Sequence, residues 1–442
     1  MKMGLKPERE NDGKLLLIGA SVLIWLLILL LLRNLGYHAT WGLWKVPSWL
    51  PPFLDFRLIP GSAESFANGF EPSVENPYDP TERIFNYPAF WRLFFYTGIT
   101  QADTVWISVS MIILFFIGAF LFPEKLSIPG AIGMLVVLFS PASMLLYERG
   151  NVDLFVFFIC ALAVFAASFS AYLASALILF ASIMKLFPIL GLSILLKETK
   201  KKFLWLSITS VLVLLMYMIL TWESVRAAWD TTMRGDGLSY GTNILITRYE
   251  AALTKILTQW LTPHRTDLML KYGLLAVALV ILFLVVILAF ANTYQSRTET
   301  GRNFDAFRMG AAIYVGTFLL GNNFDYRLAF LVLVMPQLVE WTRSTDRLYR
   351  GLAWLNIFLV LTSCWHLWII QIPLESIFHS AADSQKFWII LDEILNWMLF
   401  TGLAYLLFAS MPQWIKELPG MIRSKIGFRP KRSHEQSSPT IS

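Results

Sequence analysis

Roughly ten stretches of this 442-residue chain are each apolar and long enough to cross a bilayer, and nearly all the informative polar residues fall in the breaks between them. Hydrophobic residues make up 56% of the chain and charged ones 15%, with 34 Phe and 17 Trp, a balance no water-soluble core of this size needs. The pattern predicts an all-α integral membrane protein, a polytopic bundle of about 10 to 12 transmembrane helices. A soluble globular fold is excluded. The net charge of +6 is read as the Lys and Arg excess of cytoplasmic loops and tails, with no nucleic-acid partner. Cys160 and Cys364 both lie within apolar runs, which excludes a disulfide framework in an outer loop.

The expected spans are 15–32, 104–122, 128–146, 152–168, 203–221, 272–292, 307–321, 328–341, 351–370 and 394–411, and 171–196 is the ambiguous stretch. One crossing there would place Lys197, Lys200, Lys201 and Lys202 outside and invert every later loop. Two short helices meeting at Lys185-Leu186-Phe187-Pro188 keep the basic clusters inside. The second choice gives twelve passes, both termini in the cytoplasm and a retained first span, since 15–32 lacks the short core and cleavage site of a signal peptide. The expected organisation is a tail over 1–14, a membrane domain over 15–411 and a basic, Ser/Pro-rich, disordered tail over 412–442. Two large extracytoplasmic loops cover 33–103 and 222–271.

Four polar motifs then share one face. The first loop is rich in Pro, Gly, acids and aromatics, so it folds back on the membrane; Trp41, Trp44 and Trp49 suit an interfacial helix. Asp55, set among Phe53, Leu54 and Phe56 beside Arg57, is either an ordinary surface carboxylate or a proton acceptor. Glu148-Arg149-Gly150-Asn151-Val152-Asp153 is a tight knot; capping explains Asn151 but does not call for an Arg and two acids. Lys185, a lone ammonium in an apolar stretch, either snorkels or has a partner or ligand. Gly321-Asn322-Asn323-Phe324-Asp325-Tyr326-Arg327 reads as a turn or as a further part of a site. Together, Arg149, Lys185 and Arg327 offer a cradle for an anion, for which a lipid phosphate is the obvious candidate, and Asp55 offers a base. Asn151 and Asn322 supply hydrogen bonds. His366 and His379 lie near the outer surface; lone histidines among aromatics are more often structural, and an acid/base role is secondary.

The order of these motifs carries a resemblance. Asp55-Phe56 and a small-residue helix, NPYDP (76–80) with NYPAFW (86–91), ERGNVDLFVF (148–157), SIMKLFPIL (182–190) before a basic loop, and NNFDYRLAF (322–330) resemble glycosyltransferase family 87, of the C class of membrane glycosyltransferases. The resemblance runs from about Asp55 to Arg327. It implies a GT-C-like fold and transfer of a hexose, often mannose, from a polyprenyl-phosphate donor to a lipid or glycan acceptor on the extracytoplasmic face. It also implies that an aspartate of the first outer loop is general base, which maps to Asp55; Asp79 and Glu64 are further acids of that loop. The donor-binding set is then Arg149, Asn151, Asp153, Lys185, Asn322, Asp325 and Arg327. No Asp-x-Asp pair occurs, and a monophosphate neutralised by Arg and Lys has less need of a metal, so the expectation is metal independence with no cofactor. The absence of Asn-x-Ser/Thr leans toward a bacterial plasma membrane. The rival readings are a flippase for lipid-linked sugars and a non-catalytic partner in envelope polysaccharide assembly.

Overall fold

The structure, a computed structural model, describes residues 12–231, 237–291, 300–374, 377 and 380–417. The basic residues 1–11, the tail from 418 onward and His379 lie outside the described residues. Among the described residues the regular structure is helical apart from one ribbon of two short strands.

The first part comprises α1 (Asp12–Leu35), the short α2 (Tyr37–Gly42) and α3 (Leu54–Ala67). After α4 (Thr104–Leu121), α5 (Ile128–Leu138) and α6 (Pro141–Arg149) form a bent pair, turned by 52°. Ser140 caps α6 and Pro141 occupies its first turn, where a missing N–H costs nothing; the same proline cannot continue α5. α7 (Asp153–Ala166) and α8 (Ala171–Met184) are short, and a 3₁₀ segment, Phe187–Lys197, follows. Lys185 between them is extended, at φ −150° and ψ 131°, so 171–196 is two pieces broken at Lys185. Next come α9 (Lys200–Leu220), α10 (Trp222–Thr231), β1 (Ser239–Tyr240), α11 (Ile244–Leu257) and α12 (Pro263–Ala291). The remainder is α13 (Arg302–Leu319), β2 (Asn323–Phe324), a 3₁₀ segment Asp325–Leu333, α14 (Met335–Trp341), α15 (Arg347–Cys364), α16 (His366–Ile369), α17 (Ala381–Ala409) and α18 (Gln413–Lys416).

Among the described residues five helices are long and apolar enough to cross a membrane, or six with the bent pair counted as one span. The chain is a multi-pass membrane protein. Its outer helices α1, α9 and α12 expose Leu, Ile and Val along most of their length, as helices facing lipid do, while α6, α7, α13, Asp325–Leu333 and α14 are almost wholly buried. Fewer spans are single long helices than the twelve passes expected. The stretch 128–146 is the bent pair, and 152–168 holds the 14-residue α7. The stretch 328–341 is divided between Asp325–Leu333 and α14, and 351–370 between α15 and α16. Two helices begin well before the expected residue. α12 starts at Pro263 rather than 272, and α17 at Ala381 rather than 394. The added turns carry His264, Arg265, Asp267 and Lys271 in one and Asp383, Lys386, Asp392 and Glu393 in the other. Charges end an apolar run in the sequence without ending a helix whose end stands in the polar layer.

One end of the bundle is closed by polar and charged side chains, several of which bond to backbone. Asn303 donates to Lys125 O (2.9 Å) and to Glu340 (3.1 Å) and accepts from Glu124 N (3.1 Å), while Arg302 N donates to Glu124 (3.2 Å). Lys197 pairs with Asp305 at 2.5 Å, and Arg308 donates to Ser410 O. The other end carries the loop 36–103 and the polar junctions between helices.

Candidate active site at one end of the bundle

Two left-handed residues place Asp55. Phe53, at φ 64° and ψ 43°, reverses the chain into α3, a conformation costing about 1–3 kcal/mol for a non-glycine residue and sustained where surrounding packing demands it. It stands against Gly150, the left-handed cap of α6 at φ 57°, where an added Cβ would lie 2.9 Å from both Phe53 Cβ and Ser108 Oγ. The loop is thus seated on the α6–α7 junction. Asp55 follows in the first turn of α3, where the helix dipole favours a negative charge.

From Asp55 a continuous polar chain crosses four junctions. Asn151 Nδ2 donates to Asp55 Oδ2 at 2.7 Å and reaches Tyr326 Oη at 3.2 Å. Lys185 Nζ donates to Asn151 Oδ1 at 3.3 Å and pairs with Asp153 at 2.9 Å. Arg327 Nε meets the other oxygen of Asp153 at 3.3 Å. Asp153 is fully buried and holds two cations that remain partly open, with side-chain exposures of 13% for Lys185 and 19% for Arg327. Asp55 is 22% exposed, so carboxylate and cations share an accessible edge. Tyr87 lies beneath this edge, its ring 5.5 Å from Lys185 Nζ. Burial, with the charge of Asp55 next, pushes its phenol well up, so it stands there as a neutral group.

The structure brings Asp55, Asn151, Asp153, Lys185 and Arg327 together and sets the other expected residues apart. Arg149 belongs to an adjoining network: it pairs with Glu148 at 3.3 Å and stacks over Trp49, while Glu148 accepts from Trp49 N (2.8 Å) and Tyr37 Oη (3.1 Å). Arg57 turns away from Asp55 to Pro52 O (2.7 Å) and Gln101 (2.9 Å). Asp79 is enclosed by Arg83, Thr81 and backbone N–H groups, and Glu64 accepts from Gln101 N. Asn323 rather than Asn322 bonds Arg327. Asp325 meets His366 Nε2 at 3.1 Å, and the other ring nitrogen of His366 faces Ser363 O, so these two buried groups satisfy each other. Of the three tryptophans expected in an interfacial helix, Trp41 is buried and Trp44 donates to Phe139 O; both anchor the loop to the bundle, and Trp49 remains exposed.

Two further participants leave no signal in the local sequence. Arg83 Nη1 lies 3.8 Å from Asp55, and its other nitrogen holds Asp79 at 2.9 Å and Leu54 O at 2.5 Å. Burial draws its pKa down, but the Asp79 carboxylate outweighs this and raises it, so the guanidinium is a fixed charge beside Asp55. The second is the loop 237–243. Its strand β1 pairs antiparallel with β2, Tyr240 opposite Asn323, and Tyr240 stacks on Tyr314 with its hydroxyl 2.9 Å from Thr317. Gly241 allows the close approach, since a Cβ there would lie 2.3 Å from Gly321 O. This piece of the 222–271 loop therefore steadies the knot that carries Arg327.

No protein-family model matches the chain, and neither does any curated protein.

Proposed function

We propose that this protein is a metal-independent, inverting membrane glycosyltransferase of GT-C-like fold. It transfers a hexose, such as mannose, from a polyprenyl-phosphate donor to a lipid or glycan acceptor on the extracytoplasmic face of a plasma membrane, with both termini cytoplasmic. One observation carries this reading: a single amide, Asn151, touches both the carboxylate of Asp55 and the ammonium of Lys185. The pairing suits a displacement at an anomeric carbon, where a proton is lost on one side and a phosphate departs on the other.

In the proposed step the acceptor hydroxyl oxygen forms the new bond to the anomeric carbon while the bond from that carbon to the phosphate oxygen breaks. Asp55 takes the hydroxyl proton, a contribution of typically ~10² to 10⁴ in rate. Lys185 and Arg327 receive the charge gathering on the phosphate, and where water is scarce this electrostatic stabilisation outweighs the proton transfer. Asp153 keeps the two cations in place and Asn151 orients the base. Asn322, whose buried amide nitrogen has no hydrogen-bond partner among the described residues, is assigned to sugar or phosphate.

The reading is tested with purified protein in lipid, radiolabelled polyprenyl-phosphate mannose and a panel of lipid and glycan acceptors, with EDTA present. Transfer in EDTA, and weaker donor binding by Lys185→Met, are the expected results. Tight donor binding without transfer to any acceptor, together with movement of donor between leaflets, would replace the transferase by a flippase.

A further inference from the structure

A cavity of about 940 Å³ lies away from Asp55 between α12, α15 and α17. Its walls are almost entirely apolar, with Val285, Leu355, Trp397, Met398 and Tyr405 among them. From Ile390 to Tyr405 along α17 it extends about 22 Å at the α-helical rise, most of a ~30 Å hydrocarbon core. Met398 and Leu355 are partly exposed, so the cleft opens sideways, where lipid would enter.

One wall residue breaks the apolar character. Glu393 is 1% exposed, and neither of its carboxylate oxygens has a hydrogen-bond partner among the described residues. Its ion-pair neighbour, Arg248, approaches one oxygen to 3.7 Å, too far for a hydrogen bond. A buried carboxyl group without hydrogen-bond partners is costly, and a ligand that supplies them relieves that cost. Among the described residues no Lys or Arg lines the cleft, so a phosphate head would enter an apolar wall without a counter-charge, in contrast to the cation-lined site around Lys185 and Arg327.

We propose that this cleft binds an amphiphile whose hydrocarbon chain lies along α17 and whose uncharged, hydroxyl-bearing head donates to Glu393. The inference does not depend on sugar transfer. It is tested by photolabelling the full-length protein in phosphatidylcholine nanodiscs with two diazirine probes sharing one saturated chain, a monoacylglycerol and a lysophosphatidic acid, and mapping labelled peptides by mass spectrometry. The monoacylglycerol is expected to label α12, α15 and α17 about tenfold more strongly, which corresponds to about 1.4 kcal/mol. Glu393→Gln should narrow that preference, and Met398→Trp, which fills the cleft from its open side, should suppress labelling by both probes. Equal labelling by the two probes would reduce the cleft to ordinary bilayer contact and overturn the proposal. So would undiminished labelling in Met398→Trp, a variant at a partly exposed position that does not depend on Glu393 tolerating substitution.

Discussion

The two ends of the bundle both bury charges, but they use them differently. At the end holding Lys197 and Asp305, polar side chains grip backbone: Asn303 bonds Glu124 N and Lys125 O, and Arg308 bonds Ser410 O. Connections between helices are fixed there, and among the described residues the Lys197–Asp305 pair is not part of a carboxylate–amide–ammonium chain like that at the other end. At the Asp55 end, Asp153, Lys185 and Arg327 bond chiefly to one another and to Asn151 and Asn323, and the cations keep an accessible edge. At one end polar side chains chiefly tie helices together through backbone; at the other, a carboxylate and an ammonium are linked through one amide, the arrangement on which the proposed function rests.

That difference breaks or sharpens under mutation. The largest effect is expected from Asp55→Asn, which should lower transfer by ~10² to 10⁴ while the thermal unfolding of the purified protein stays unchanged. Asp153→Asn should cost about 3–5 kcal/mol by leaving Lys185 and Arg327 without their buried counter-charge, read as a fall in unfolding midpoint. Adding Lys185→Met should restore part of the midpoint and none of the transfer. Gly150→Ala should cost about 1–3 kcal/mol, because the cap is left-handed and the new methyl group meets Phe53. A midpoint unmoved in Gly150→Ala would show that the Asp55 loop is not seated on the α6–α7 junction as described.

The smallest effect belongs to the exposed pair Arg92–Glu71, 2.9 Å apart. Partial burial pushes the Glu71 carboxyl up, but hydrogen bonds from Ser73 and Arg92 outweigh this and hold it below the ordinary 4.5. A group lowered in this way stabilises the fold above its ordinary pKa, and the contribution is lost as pH falls through the folded value. Glu71→Gln should therefore change stability by less than about 1 kcal/mol at neutral pH, and the difference from wild type should vanish in acid.

Much of the site was legible because charges in apolar breaks are few and need partners. Lys185 had to meet an acid or a ligand, and it meets Asp153. The break at Lys185 was likewise readable from charge parity and Pro188. What escaped were choices among partners. Arg57 is close to Asp55 in sequence, yet two positions along a helix turn it to the opposite face, toward Pro52 and Gln101, and Arg83, arriving from the Pro-rich loop, takes the place beside Asp55. No local pattern encodes a contact made by a loop that folds back. The same holds for Tyr240, placed by a two-residue ribbon too short to leave a period in the sequence. The extra turns of α17 were hidden by Asp392 and Glu393, whose charges look like a helix end until Arg248 and His366 are seen beside them.

The central claim, that the Asp55 end performs chemistry and the Asp305 end holds structure, is tested most directly by one paired measurement. Hexose transfer per folded molecule and the unfolding midpoint are measured for Asp55→Asn and Asp305→Asn in the same lipid. The account predicts lost transfer with an unchanged midpoint for the first, and a lowered midpoint with transfer per folded molecule retained for the second. Full transfer by Asp55→Asn, with Asp305→Asn the inactive variant, would contradict it.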